Sequence, residues 1–153
     1  MKQPVFEGVA TALVTPFQSS TVDYPKLEQL LDFQLASGVD AIVVCGTTGE
    51  AATMTPQEQL GVIAHCIRYV AGRCKVIAGT GSNSTAHCLE TSRVAASIGA
   101  DALLLVTPYY NKCTQAGLIA HYLSVADAVS VPVILYNVPS RTGVDISVDT
   151  YRV

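Results

Sequence analysis

The chain has 153 residues, of which 50% are hydrophobic and 14% charged, and its formal net charge is −3. This composition predicts a globular protein with one buried core, and the weakly acidic charge argues against a nucleic-acid partner. No stretch approaches the roughly 20 apolar residues that span a bilayer, and the amino terminus has no apolar signal segment, so we expect no membrane association and a cytoplasmic location. The five cysteines form no C-x-x-C pair, which fits a reducing compartment and predicts no metal site.

The first half of the chain predicts three strands separated by two helices. A strand over residues 9–14 precedes an amphipathic helix that Asp23 caps. A strand over residues 41–45 precedes a second helix, where Thr55 begins a capping box of the form Thr-Pro-Gln-Glu. The third strand is predicted over residues 75–78.

The second half repeats this alternation. A helix over residues 85–98 is followed by a strand over residues 102–106. Thr114 is the predicted cap of the next helix, and a fifth strand covers residues 131–136. Ser147 is the predicted cap of one more helix.

The regular spacing of these units predicts the fold class. Residues 38–42 are similar to residues 99–103, roughly sixty positions further on, which is the length of two βα units. Repeated βα units with continuous apolar strands predict an α/β protein with a parallel sheet. No G-x-G-x-x-G follows the first strand, so a dinucleotide-binding fold is disfavoured.

Four of the predicted strands end in polar clusters. In a parallel α/β protein the carboxyl ends of the strands carry the chemistry, so we expect hydroxyls, phenols and backbone amides to converge there. The clusters are residues 46–50, 79–83, 107–112 and 136–137.

These clusters resemble the motifs of the dihydrodipicolinate synthase family, also called 4-hydroxy-tetrahydrodipicolinate synthases. The family is a (β/α)₈ barrel among the pyruvate-dependent class I aldolases, and it is a lyase of lysine and diaminopimelate biosynthesis. The resemblance implies condensation of pyruvate with L-aspartate 4-semialdehyde through a lysine Schiff base, no metal or organic cofactor, and a homotetramer of tight dimers. The matching segments are residues 8–17, 46–50, 109–112 and 136–143.

The resemblance also implies roles for individual residues. Tyr136 matches a catalytic tyrosine beside the Schiff-base lysine, Thr48 matches its hydrogen-bond partner, and Tyr110 matches a catalytic tyrosine contributed from a neighbouring subunit. Thr47 matches a group that binds the pyruvate carboxylate, with Thr48 next to it. Arg141 matches the arginine that binds the carboxylate of the semialdehyde, for which its planar fork is well suited.

A further set of positions matches the site where lysine inhibits some family members. An acidic residue is common in the family at the position of His87, so we predict weak or no feedback by lysine. Pro56 and Gln59 stand where some inhibited members carry histidines. The effector positions are Ala51, Asn83, His87 and Tyr109.

The Schiff-base lysine of the family lies on the sixth strand, which we expect beyond residue 153. Lys75 opens the third predicted strand at the end opposite the polar clusters, and the other three lysines lie outside the predicted strands, so none is placed inside an apolar strand where burial would lower its pKa. We therefore expect residues 1–153 to be the N-terminal part of one (β/α)₈ barrel domain, holding about five βα units and the start of the next helix. Such a chain would be inactive by itself.

Three alternatives remain open at this point. One is an N-acetylneuraminate lyase or a 2-keto-3-deoxy sugar acid aldolase of the same superfamily, which would not need an arginine directed at a second carboxylate. Another is a non-catalytic half-barrel that acts only by association. The last is a phosphate-binding barrel, which rests only on the glycine-rich residues 79–83.

Overall fold

A parallel sheet of five strands lies at the centre of the computed structural model, which describes residues 4–153. The sheet contains β1, β4, β5, β6 and β7 in that order, and β2 pairs with β3 in a separate antiparallel hairpin. In chain order the strands are β1 (Ala10–Ala12), β2 (Phe17–Gln18), β3 (Thr21–Val22), β4 (Ala41–Val44), β5 (Lys75–Gly79), β6 (Ala102–Val106) and β7 (Val133–Tyr136).

A helix follows each of the inner strands, as the sequence predicts for an α/β fold built from βα units. Neighbouring long helices pack side by side in chain order. The helices are α1 (Tyr24–Ala36), α2 (Pro56–Val70), α3 (Thr85–Ser97), α4 (Gln115–Ala126), α5 (Pro139–Thr142) and α6 (Val148–Tyr151), with a 3₁₀ turn at Ala51–Thr53.

The strands are apolar on both faces because alternate side chains enter two different layers. One set, which includes Ile42 and Leu103, belongs to the main core that also contains the buried helix residues. The other set, Ala41, Ile77 and Ala102, forms a smaller cluster on the opposite face. This arrangement explains why the sequence shows continuous apolar runs rather than an alternating pattern.

The predicted helix caps are confirmed by their hydrogen bonds. The Asp23 carboxylate accepts from the backbone N–H of Lys26 at 2.9 Å. Thr55 forms the full capping box with Glu58. The hydrogen bonds that the Glu58 carboxylate accepts from the backbone and side chain of Thr55 lower its pKa. The hydroxyls of Thr114 and Ser147 cap α4 and α6 by accepting from the backbone N–H groups of Gly117 and Thr150.

Two predicted strands are shorter than expected by two or more residues, and three short elements were not predicted. β1 covers only Ala10–Ala12, because the chain then turns toward the β2–β3 hairpin. β7 begins at Val133 because Pro132 has no N–H to donate to the ladder. The hairpin, the 3₁₀ turn and α5 each have only two to four residues per element, too few for a periodic pattern.

The internal repeat marks two equivalent hydrogen bonds at the amino ends of the strands. An Asp40 carboxylate oxygen accepts from the Val9 N–H at 2.7 Å. Asp101 accepts from the Val76 N–H at 2.9 Å and also pairs with Lys75. In each case the aspartate fixes the start of the preceding strand of the sheet, so the repeat has a structural role.

At the opposite end of the sheet, two glycines allow the strand ends to approach closely. A Cβ atom on Gly79 would collide with the carbonyl oxygen of Cys45, and one on Gly81 would collide with the backbone nitrogen of Val106. No side chain fits at either position without displacing main-chain atoms, so both positions require glycine.

We predict that Gly79→Ala lowers the free energy of unfolding by about 3 kcal/mol, because the added methyl group must push backbone apart. Urea denaturation followed by circular dichroism measures this change. Gly46→Ala is the matched control, since its Cβ would meet only the Val43 side chain at 3.5 Å. Equal stability of the two variants would contradict the requirement for glycine at position 79.

Candidate functional site

A cavity of about 640 Å³ opens at the carboxyl ends of β4, β5, β6 and β7. We call it the strand-end cavity. Each of these four strands contributes to its wall, as the polar clusters predict. The wall includes Thr47 after β4, Ser82 after β5, Tyr109 and Tyr110 after β6, and Tyr136 and Arg141 at and after β7.

The loop after β4 is fixed by main-chain geometry. Cys45 has a φ of +54°, which turns the chain sharply at the strand end. Gly49 is packed so tightly that a Cβ would lie 3.1 Å from both the Leu13 carbonyl oxygen and the Cys45 nitrogen. The Thr15 hydroxyl donates to the Gly49 carbonyl at 2.8 Å and ties this loop to the segment after β1.

This loop places its two threonines differently. Thr47 lies in the wall of the strand-end cavity. Thr47 and Thr48 are both exposed, but Thr48 is not part of that wall, and within residues 4–153 no hydrogen bond joins either threonine to Tyr136. Thr47 is thus the threonine of this loop that borders the same cavity as Tyr136.

The end of β7 carries the other two predicted wall residues. The Tyr136 carbonyl accepts from the N–H of Thr107 at 3.1 Å and from its hydroxyl at 3.2 Å, so the strand end is held on its β6 side. α5 begins at Pro139, two residues after the polar cluster at residues 136–137, and it places Arg141 at the cavity. The Arg141 side chain is exposed to solvent.

The loop after β6 presents Tyr110 outward. Its side chain is 90% exposed, although it borders the cavity, and its φ of +75° is unusual for a residue other than glycine. Tyr109 is half-buried, and its carbonyl accepts from the Asn83 amide at 3.3 Å. Of the predicted effector positions, three line the cavity: Ala51, His87 and Tyr109. Asn83 is not a wall residue and contacts this loop through its hydrogen bond to Tyr109.

Gln59 is a wall residue whose hydrogen bond the sequence did not predict. It is buried, and its amide donates to the Gly79 carbonyl at 2.9 Å, where the strand ends approach most closely. A signal was available, because Gln59 occupies a buried-face position of α2 together with Ile63, Cys66 and Val70. A glutamine in such a series indicates a polar group that the fold must satisfy.

The lysines in the described part of the chain are not part of the cavity wall. Lys75 pairs with Asp101 at the amino end of β5, Lys26 donates to Gln29, and the Lys112 chain lies over Gly143. None of these three lysines is among the wall residues. Lys2 lies outside the described residues.

The described residues offer no ready metal centre. Within residues 4–153 no group of three or more His, Cys, Asp or Glu side chains could hold a metal ion. None of the helices over the same residues is long and apolar enough to cross a membrane.

Two cysteines near the cavity are held as neutral thiols. Burial raises the pKa of Cys45 to about 12, with a further contribution from Cys66, and burial raises the pKa of Cys66 to about 12 as well. Cys45 borders the cavity, but a thiol is a poor nucleophile in this state. All five cysteines are free.

A parallel sheet with a helix after each inner strand and a polar cavity at the carboxyl strand ends defines part of a (β/α)₈ barrel. The model of the dihydrodipicolinate synthetase family matches residues 5–152. The chain belongs to this family.

Individual relatives agree with this assignment. The chain is 54% identical over 148 residues to the 4-hydroxy-tetrahydrodipicolinate synthase of Thermoanaerobacter sp. (strain X514), covering 97% of this chain and 50% of that protein. It superposes on the crystal structure of dihydrodipicolinate synthase from Aquifex aeolicus with a TM-score of 0.94 and 51% identity, covering 95% of this chain and 50% of that one.

A third relative was solved with a bound ligand. The chloride-inhibited dihydrodipicolinate synthase from Acinetobacter baumannii, solved in complex with pyruvate, has a TM-score of 0.91 and 51% identity. The match covers 94% of this chain and 50% of that one. The chain thus spans about half the length of the relatives it matches.

We predict that iodoacetamide at pH 8 leaves Cys45 and Cys66 unmodified in the folded chain, because with a pKa near 12 only about one thiol in ten thousand is ionised. Cys113 is half-exposed and provides the internal positive control. Peptide mass spectrometry measures the modification at each site. Alkylation of Cys45 at the rate of Cys113 would contradict the neutral, buried thiol.

Proposed function

We propose that residues 1–153 form the N-terminal five βα units of a single (β/α)₈ barrel domain that condenses pyruvate with L-aspartate 4-semialdehyde. The observation that carries this proposal is the convergence of Thr47, Tyr136 and Arg141 on one strand-end cavity. Family membership, and relatives named 4-hydroxy-tetrahydrodipicolinate synthase, support the same activity.

The reaction needs an amine, and no lysine of residues 4–153 belongs to the cavity wall. In our proposal a lysine on a later strand attacks the pyruvate ketone, and water leaves as the iminium forms. The iminium accepts electrons from the methyl group, which loses a proton and becomes the carbon nucleophile. That carbon then bonds to the aldehyde carbon of the semialdehyde, whose oxygen takes up a proton. We infer that residues 1–153 are inactive alone.

Thr47 and Tyr136 are the proposed proton relay. Formation and breakdown of the iminium require protons to move between oxygen and nitrogen, and a positioned hydroxyl can pass a proton that it could not exchange efficiently with bulk water. Both side chains border the cavity, which supports this role. We favour Thr47 over Thr48 as the partner of Tyr136, because Thr47 and not Thr48 belongs to the cavity wall.

Arg141 is the proposed recognition element for the second substrate. The semialdehyde carries a carboxylate, and a guanidinium can bind a carboxylate through two parallel hydrogen bonds. The position of Arg141 at the cavity supports a dicarboxylate-directed reaction over cleavage of a neutral sugar chain. The sugar acid aldolase alternative is therefore the less well supported of the two.

Further proposals concern the assembled enzyme. Tyr110 is nearly fully exposed, which fits a side chain that reaches a neighbouring subunit in a homotetramer of tight dimers. His87 lies in the cavity wall where an acidic side chain would be needed to pair with the amine of lysine, so we propose weak or no lysine feedback.

We also propose that the enzyme needs no metal or cofactor, and that its free thiols reflect a cytoplasmic location.

The proposal is tested with a joined barrel, in which residues 1–153 are followed by the second half of the Thermoanaerobacter relative. We expect the joined barrel to consume pyruvate and semialdehyde, and borohydride with pyruvate to leave a mass adduct on a lysine of the second half. Residues 1–153 alone should give no adduct. A folded joined barrel without activity, or an adduct on Lys26, Lys75 or Lys112, would contradict the proposal.

We predict that Thr47→Val in the joined barrel lowers kcat about 100-fold, because loss of a positioned proton-transfer group has effects of this order. Thr48→Val is the matched control, and its kcat should stay within about threefold of the parent, since this side chain lies outside the cavity wall. Steady-state kinetics decides between the two threonines. The reverse ranking would restore Thr48 as the relay residue.

A further inference from the structure

Two amide side chains hold the segment that follows α5. We call residues 143–147 the return loop, because they lead the chain from α5 back to the start of α6. Gln115, the first residue of α4, and Asn137, directly after β7, both bond to this loop. Neither residue lines the strand-end cavity.

Gln115 makes three hydrogen bonds to residues that lie 30 to 35 positions further along the chain. Its amide nitrogen donates to the Asp145 carbonyl at 2.8 Å. Its amide oxygen accepts from the Ser147 N–H at 3.0 Å and from the Thr150 hydroxyl at 2.7 Å. The opposite amide orientation would face the nitrogen toward the Ser147 N–H, so this pattern fixes the side chain in one orientation.

Asn137 holds the same loop from the other side. Its amide nitrogen donates to the Asp145 carboxylate at 2.6 Å, and its oxygen accepts from the Ile146 N–H at 3.2 Å. The neighbouring residue on the amino-terminal side is Tyr136. The strand end and the return loop are thus joined by direct bonds.

α5 lies between these two anchored segments. The Thr142 hydroxyl bonds the Val138 carbonyl at 3.3 Å and the Val144 carbonyl at 3.0 Å, which connects the start of α5 to the return loop. Arg141 has no side-chain hydrogen bond or ion pair within residues 4–153. Its location at the cavity therefore depends on the backbone of α5, which the return loop holds in place.

We propose that Gln115 and Asn137 are positioning residues for Arg141. By clamping the return loop they fix α5 and so fix where the guanidinium meets the second carboxylate. This inference rests on the proposed function, and it assigns specificity for the semialdehyde to residues that never touch it. The bond lengths and the burial of Thr142 between the two anchors support it.

In the joined barrel, Gln115→Met should raise the KM for semialdehyde about tenfold and leave the KM for pyruvate unchanged, because a small displacement of a binding group costs this much or more. Met keeps the length of the side chain but makes none of the three bonds. Gln115→Glu keeps the acceptor for Ser147 and Thr150 and should recover most of the loss. Gln57→Met, at an exposed first-turn position of α2, is the matched control and should change neither KM.

A double-mutant cycle with Arg141→Ala separates positioning from general stability. If Gln115 acts through Arg141, Gln115→Met should have no further effect on the semialdehyde KM once the guanidinium is absent. An equal tenfold effect in both backgrounds, or a matching rise in the pyruvate KM, would overturn the proposal.

Hydrogen exchange on the 153-residue chain gives a readout that does not depend on activity. In Gln115→Met the Ser147 amide should exchange faster, because it loses its acceptor. The amides of Arg141 and Thr142, which bond the Val138 carbonyl, should also exchange faster if the clamp holds α5. Unchanged exchange within α5 would overturn the clamp even in an active barrel. An inactive parent barrel with faster exchange in α5 would uphold the clamp and refute only the proposed function.

Discussion

The close approach of β4 and β5 at Gly79 is the constraint on which the cavity depends. Here the Gly79 position faces the Cys45 carbonyl with no room for a side chain, so the two strand ends meet backbone to backbone. Parallel pairing carries the same alignment on to β6 and β7. Hydroxyls from separate loops therefore reach one space only because these strand ends are in contact.

The irregular backbone around this space is held by specific polar side chains rather than by ladder bonds. Thr15, Gln59 and Thr107 each donate to a carbonyl at or just beyond a strand end. A buried carbonyl without a partner is costly, so each of these bonds both satisfies the backbone and fixes a loop. Gln115 and Asn137 act similarly outside the cavity wall, where their hydrogen bonds hold the return loop that follows α5.

The strands, the capped helices and the parallel α/β fold could be predicted because they follow from apolar periodicity and cap chemistry, as at Asp23 and Thr55. The choice between Thr47 and Thr48 could not, since it depends on the positive φ of Cys45 and on the bond from Thr15, which are tertiary features. The family resemblance predicts both threonines as site residues, but it does not say that only Thr47 borders the cavity. The contacts of Gln115 with the return loop were equally out of reach, because their partners lie thirty or more residues apart.

The most direct test of the account is a crystal structure of the joined barrel soaked with pyruvate. The account predicts pyruvate in the strand-end cavity, with its carboxylate within hydrogen-bond distance of the loop that carries Thr47 and its ketone carbon beside the Tyr136 hydroxyl. Pyruvate bound elsewhere, or an empty cavity at saturating pyruvate, would contradict the claim that these strand ends form the substrate site.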